Sequence, residues 1–243
     1  MKYDLLTDAD IEALAVCTIS SDSTRLVFGS PCPHNHLECD RFLNHASLNT
    51  LCDRRMGPCT RSERCATCDG DVFQCLGHPA RIELCEPVFL IHFVKPILTV
   101  LQKLCSACLK QPIKSPVCPL GGGPCSTQKM VARYVEGLVL VKRNGTDEYW
   151  SARRVRQVLR EVVPNERLGP SPLEGIRTTL YVTPTLFRPY RKIPGYAYKA
   201  DGLTDLYAKI VHANKKLVAF ETRDSRLRGQ VCFRCAQSYQ HLY

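Results

Sequence analysis

An irregular α+β fold held together by metal is what these 243 residues predict, on three observations. Short stretches with helical spacing alternate with short strand candidates, and none is long. Residues 28–62 are rich in Cys, His, Pro, Asn and Arg and show no period. Fifteen cysteines, several in C-x2-C pairs, sit in a chain whose 44% hydrophobic and 23% charged residues are ordinary for a soluble globular protein.

The elements follow in order. Thr7 is placed to cap a short helix, with Asp8 and Asp10 in its first turn and Ile11, Leu14 and Ala15 on one face. Arg81–Leu84 is a strand candidate. Residues 88–104 are strongly apolar. Within them Ile97, Leu98, Leu101 and Leu104 have helical spacing, which predicts a buried helix starting near Pro96. Gly121-Gly122-Gly123-Pro124 is a loop and not a phosphate cradle, because no Gly-Lys-Ser/Thr follows. Ser151 is expected to cap a helix that turns Val155, Val158, Leu159 and Val162 inward and Arg153, Arg154, Arg156 and Arg160 outward, ending at Pro164. Arg177–Thr183 reads as a strand stopped by Pro184. Thr204 is expected to cap the last helix, with Leu206, Tyr207, Ile210, Val211 and Leu217 on its apolar face and Lys215 and Lys216 at its negative end.

No apolar run approaches the roughly 20 residues of a membrane span, and Met1–Leu14 is acidic and polar, unlike a secretory signal. The expectation is an intracellular protein whose thiols stay reduced, so that many cysteines mean metal and not disulfides. The formal charge of +10 is uneven. Residues 1–125 hold 12 Lys+Arg against 13 Asp+Glu, and residues 126–243 hold 21 against 10. A basic half of that size suits a polyanionic neighbour such as nucleic acid as well as a solvated surface.

Cys65-x2-Cys68-x6-Cys75-x2-His78 carries the sharpest chemistry. Two residues between a pair of ligands let the chain turn so that both face one ion, and a second close pair fills the other corners of a tetrahedron. Thiolate and imidazole suit Zn²⁺, and four filled positions leave no place for a reactive water, so the site is structural. Asp69 and Asp71, inside this loop, read as solvated acids and not as a Mg²⁺ pair. Cys105-x2-Cys108 is a second half-site, with Cys118 and Cys125 the nearest partners downstream. Two further groupings are weaker. Cys32-x-His34-x-His36-x2-Cys39 alternates its ligands in a way unusual for a structural knuckle, and Cys232-x2-Cys235 has only His241 nearby.

Several motifs taken in order resemble a known family. Leu48-Asn49, Asp53-Arg54-Arg55-Met56-Gly57, the Cys65–His78 set, Arg81-Ile82-Glu83-Leu84 and Pro87-Val88-Phe89 are similar to the N-terminal segment of the largest subunit of eukaryotic, archaeal and large-DNA-virus RNA polymerases. Val117-Cys118 and Cys125-Ser126-Thr127-Gln128 resemble that family's later zinc ligands. Thr179-Leu180-Tyr181-Val182-Thr183-Pro184 with Arg188-Pro189, and Asp201–Leu206 with Ala213-Asn214, resemble its following strand and helix. The series covers about Leu48 to Leu217. It departs from the pattern at Pro79-Ala80, where the family usually has Gly, and in the short spacing from Cys108 to Cys118. The family's Asn-Ala-Asp-Phe-Asp-Gly-Asp active-site motif is absent, and Asp8-Ala9-Asp10 does not replace it.

The resemblance implies an RNA polymerase clamp domain divided into an N-terminal helix and irregular segment (1–47), a zinc-binding core with two sites (48–128), a basic α/β part (129–217) and an unassigned tail (218–243). It implies two structural Zn²⁺, with Mg²⁺ only in the complete enzyme. The chain alone is expected to be inactive, with no catalytic residue of its own. The partners implied are the second-largest polymerase subunit and other subunits, the DNA template and the RNA–DNA hybrid, with no membrane. The location implied is the nucleus, the cytoplasm or a virion. Arg153, Arg154, Arg156, Arg160, Arg188, Arg191 and Lys192 are the expected phosphate contacts. Two other readings remain open. A free-standing zinc-binding adaptor or transcription factor would bind nucleic acid without a polymerase. A hydrolytic zinc enzyme would need an open metal position that neither set provides.

Overall fold

A computed structural model describes residues 6–24, 47–61, 63–110, 118, 125, 130–143, 145–162, 172–191 and 199–219. The groupings around Cys32–Cys39 and Cys232–His241, and Lys192, lie outside the described residues. The chain forms two compact units. One is built from Cys85–Thr178, the other from Leu6–Leu84 together with Thr179–Lys216. The units are interleaved in sequence, since the first is inserted between the two halves of the second. Among the described residues no helix is long and apolar enough to cross a membrane.

The first unit holds a buried apolar core. Helix α2, Ile91–Gln102, buries Val94, Ile97 and Leu101. It begins well before Pro96, contrary to the sequence expectation, and Pro96 lies inside it. The missing N–H deprives only the carbonyl of His92. His92 and Pro96 are both exposed, so water can take that bond. Gly175 explains how the 3-10 turn Pro172–Gly175 approaches this helix: a Cβ there would overlap Phe93, while its carbonyl accepts the Leu90 N–H at 2.9 Å.

A three-stranded antiparallel meander follows, β2 (Val131–Val135), β3 (Leu138–Arg143) and β4 (Thr146–Trp150). Its register pairs Ala132 with Val141 and Val139 with Trp150, four residues buried in the core. The sequence reading gave no strand here. The signals were the alternation in Val131–Val135 and two turns with glycine second, Glu136-Gly137 and Asn144-Gly145. Glu136 (φ 47°) and Gly137 (φ 82°) both take the left-handed conformation that a two-residue hairpin turn of the primed type requires. Helix α3, Ala152–Val162, matches its prediction. Ser151 Oγ accepts the Arg154 N–H at 3.4 Å, and Val155, Val158, Leu159 and Val162 are buried. Phe89 meets Tyr134 edge to face at 5.9 Å, closing the same core.

The second unit opens with α1, Asp8–Leu14. Thr7 caps it reciprocally with Asp10. Ile11 is buried, whereas Leu14 is half exposed. The next residues run beside the first part of β1 (Ala80–Phe89), in a parallel bridge between Thr18 and Arg81. β1 pairs with β5 (Ile176–Val182). Helix α4, Gly202–Ala219, buries Thr204, Tyr207, Ile210 and Val211. Asp201 performs the capping expected of Thr204: its carboxylate accepts the Leu203 N–H at 3.1 Å. Thr204 is one turn too far in and fully buried, with a different use described below. Asn214 donates to the Glu83 carbonyl at 2.8 Å, tying the end of α4 to β1.

Candidate metal centres

Each unit carries one four-ligand set. In the second unit, the ligand atoms of Cys65, Cys68, Cys75 and His78 all lie within 4.8 Å of one another. In the first unit the same holds for Cys105, Cys108, Cys118 and Cys125, with Sγ–Sγ distances of 4.0 Å (Cys105–Cys118) and 3.7 Å (Cys108–Cys125). Among the described residues these are the two groups of three or more His, Cys, Asp or Glu side chains drawn that close.

The two C-x2-C turns share one backbone design. In the first, the Asp69 N–H donates to the Cys65 carbonyl at 2.9 Å, and the Cys65 N–H donates to the Gly70 carbonyl at 2.9 Å. In the second, the Leu109 N–H donates to the Cys105 carbonyl at 2.9 Å, and the Cys105 N–H to the Lys110 carbonyl at 3.0 Å. Both turns reverse through a left-handed residue, Asp69 (φ 56°) and Leu109 (φ 59°). Asp tolerates that conformation and Leu does not favour it. A leucine held there indicates that the closed turn imposes its shape on the residue.

Backbone N–H groups point at the sulfurs of the first set, from Thr67 to Cys65 Sγ and from Gly77 to Cys75 Sγ, each at 3.3 Å. Such donors stabilise thiolate and spread its charge. The turn Arg54–Met56 supports this set from behind. Its carbonyls accept from the Ala66 N–H at 3.0 Å, the Thr67 hydroxyl at 2.7 Å and the His78 N–H at 2.9 Å. In the second set, Arg143 plays the supporting part: its guanidinium donates to the carbonyls of Ser106 and Ala107. Nothing in the sequence spacing singles Arg143 out.

Both sets fit a thiophilic cation. Nε2 of His78 is buried without a hydrogen-bond partner, which is costly for imidazole unless a Lewis acid takes the lone pair. Burial pushes the Cys75 thiol up to about 11, and burial together with the Cys108 and Cys118 thiols pushes Cys125 up to about 12. Cys105 falls to about 7, because the Cys108 and Ala107 N–H groups and neighbouring thiols outweigh its burial. Packed thiols cannot all ionise together unless a cation sits among them. Asp69 and Asp71 belong to neither set. Asp69 is exposed, and Asp71 accepts the Phe73 and Gln74 N–H groups in its own turn.

Gly77 gives a local test. Its φ is +82°, and a Cβ would stand 2.6 Å from Pro184 Cβ. Gly77→Ala is expected to cost at least about 1–2 kcal/mol from the backbone conformation alone. The measurement is the chemical denaturation midpoint of the metal-loaded chain.

The expected phosphate contacts divide. Arg188 is a correction: it is fully buried. Its Nε donates to the Thr183 carbonyl at 2.9 Å, Nη1 to Thr204 Oγ1 at 3.0 Å and Nη2 to the Leu51 carbonyl at 3.2 Å, and the group lies over the Tyr207 ring. No phosphate can reach it. On α3, Arg153 is ion-paired with Glu86 at 2.9 Å and Arg154 lies over Trp150. Arg156 is half-buried, and Arg160 and Arg191 are exposed.

Comparison with known proteins gives a match over part of the chain. Residues 36–131 match the model described as RNA polymerase Rpb1, domain 1. DNA-directed RNA polymerase II subunit RPB1 of Euplotoides octocarinatus is 30% identical over 110 residues, 45% of this chain and 20% of that protein. DNA-directed RNA polymerase III subunit RPC1 of Saccharomyces cerevisiae is 33% identical over 108 residues, 44% and 6% respectively. The archaeal subunit Rpo1N of Thermoplasma acidophilum is 32% identical over 108 residues, 44% and 10%. The match thus spans a fifth or less of these relatives' own length. Both cysteine sets fall inside the matched stretch, and over that stretch the chain is similar to the N-terminal region of DNA-directed RNA polymerase largest subunits.

Proposed function

We propose that the chain is the zinc-bearing clamp portion of a largest subunit, which helps hold DNA and the RNA–DNA hybrid while the assembled polymerase performs nucleotidyl transfer. The observation that carries this reading is the pair of closed four-ligand sets inside the Rpb1-type stretch, one in each compact unit. Cys65, Cys68, Cys75 and His78 would hold one Zn²⁺, and Cys105, Cys108, Cys118 and Cys125 the other. When bound, the zinc cross-links each turn and neutralises its thiolates; it offers no open position for chemistry. The second-largest subunit would be the principal partner, and an intracellular site follows from membership of that assembly.

Phosphate contact would fall to α3, where Arg153, Arg156 and Arg160 recur on one side, away from the buried Val155, Val158 and Val162. Arg154 and Arg191 lie outside that stripe. Such contacts hold a backbone without reading sequence.

Three measurements on the purified chain test the reading. Elemental analysis should give two zinc per chain. Affinity capture from cells should bring down a second large polymerase subunit; recovery of nucleic acid with no polymerase subunit would favour the free-standing adaptor instead. DNA affinity should fall steeply with salt, and Arg156→Ala with Arg160→Ala should reduce the log–log slope by about 2, at roughly 0.9 per phosphate contact. A slope unchanged by both substitutions would move the phosphate contact elsewhere.

A further inference from the structure

We propose that Arg143 is a positioning residue for the second metal centre, setting how tightly that centre keeps its ion. The inference rests on the zinc reading above. It begins with the peptide units that Arg143 grips. Its guanidinium donates to two consecutive carbonyls, Ser106 and Ala107, in the middle of the Cys105-x2-Cys108 turn. The described peptides are trans, so each carbonyl points away from the N–H of its own peptide unit. The N–H groups of those two units belong to Ala107 and Cys108, the backbone groups that favour the ionised Cys105 thiol; in the first set the corresponding Thr67 N–H donates to Cys65 Sγ at 3.3 Å. One cation therefore pulls on the oxygen ends of the two dipoles whose hydrogen ends face a ligand sulfur. It fixes their orientation and polarises them toward the thiolate.

Two further observations give the contact a purpose. Four thiolates around a divalent zinc leave two net negative charges, whereas three thiolates and an imidazole leave one. The guanidinium stands beside the more negative set. Arg143 is also well anchored. It ends β3 opposite Thr146, whose hydroxyl donates to the Arg143 carbonyl at 2.7 Å. The hairpin register decides which face its side chain takes, and a slip of one residue would turn it away from the knuckle.

The test uses the full 243-residue chain loaded with zinc and challenged with excess chelator. Cysteine alkylation is followed peptide by peptide by mass spectrometry, so that opening of Cys105, Cys108, Cys118 and Cys125 is timed separately from opening of Cys65, Cys68 and Cys75. Arg143→Ala should accelerate opening of the second set about 10–100-fold, the usual effect of removing an outer hydrogen-bond partner of a metal ligand, and leave the first set unchanged. Arg143→Lys keeps the charge but loses the planar fork that spans two carbonyls, and should fall between. Arg133→Ala removes an exposed cation from neighbouring β2 and should have no effect. Equal acceleration at both sets would show general loosening and overturn the proposal. So would a second set that opens at the wild-type rate in Arg143→Ala. If the unsubstituted chain protects only the first set, the zinc reading of the second fails, and this inference with it.

Discussion

Cys75→Ser is expected to abolish the ordered structure of residues 65–78 and to reduce bound zinc from two ions to one. Between Cys59 and Pro79 the buried described residues are Cys65, Gly70 and Cys75, two ligands and a glycine. The large apolar side chains of the same stretch point outward, Phe73 at 84% and Leu76 at 89% exposure. Apolar burial therefore contributes almost nothing there. Structural zinc supplies an apparent ~10–16 kcal/mol in small peptides, against a total stability of about 5–15 kcal/mol for a typical domain. Serine is nearly the size of cysteine, and its hydroxyl can still accept the Gly77 N–H, but it is not a thiolate ligand. The readout is hydrogen exchange at the Cys65, Asp69, Cys75 and His78 amides, each bonded to a carbonyl in the intact loop. Protection should fall to that of open chain. Phe73→Ala, at an exposed position, should leave it unchanged. Retained protection in Cys75→Ser would mean that the loop is held by something other than metal. Acid should act in the same direction, because protons compete with the ion for the thiolates, so zinc retention should decline as pH falls.

Arg188→Ala is expected to cost about 3–5 kcal/mol, the loss typical when one partner of a buried charged hydrogen-bond cluster is removed. Truncation strands the carbonyls of Thr183 and Leu51 and the hydroxyl of Thr204, and leaves a void under Tyr207 where the guanidinium lay at 5.5 Å from the ring centroid. Arg188→Lys should recover little of this, since a single ammonium cannot reproduce a fork that bonds in three directions. Urea denaturation of the zinc-loaded chain measures the loss. DNA binding by whatever fraction remains folded should be unaltered, because the side chain never reaches solvent. A stable Arg188→Ala chain with weakened DNA binding would reverse that assignment.

Arg188 also marks the limit of what could be read from residue order. Its Arg-Pro pair was recognisable, but an arginine in a basic half reads as surface until its burial is known. Thr204 misled for a related reason. It has the chemistry of a cap, yet its hydroxyl is used inside the unit by Arg188, and Asp201 takes the helix end. Where local chemistry decides structure, the reading was sound. Thr7 with Asp10, Ser151 with the Val155–Val162 face, and the stop of β5 before Pro184 are nearest-neighbour effects and appear where expected. The Cys65 and Cys105 turns were equally legible, because metal-ligand spacing is a local constraint, and the fold draws the ligand atoms of each set to within 4.8 Å of one another. The meander was missed although its alternation and glycine turns are present. The start of α2 was misplaced because Pro96 is better known for opening helices than for riding inside them. Arg143 was beyond reach, since its partners lie 36 and 37 residues away.

The interleaving of the two units bears on biosynthesis. All four ligands of the first set are made within a span of 14 residues, Cys65 to His78, so capture of an ion needs little loop closure. The rest of that unit resumes only at Thr179, after the whole Cys85–Thr178 unit has been translated. At roughly 5–20 residues per second that is a delay of about 5–20 s. During this interval the nascent segment has no β5 and no α4 to pack on. An early metal clasp would keep it compact and out of reach of aggregation until its missing half leaves the ribosome.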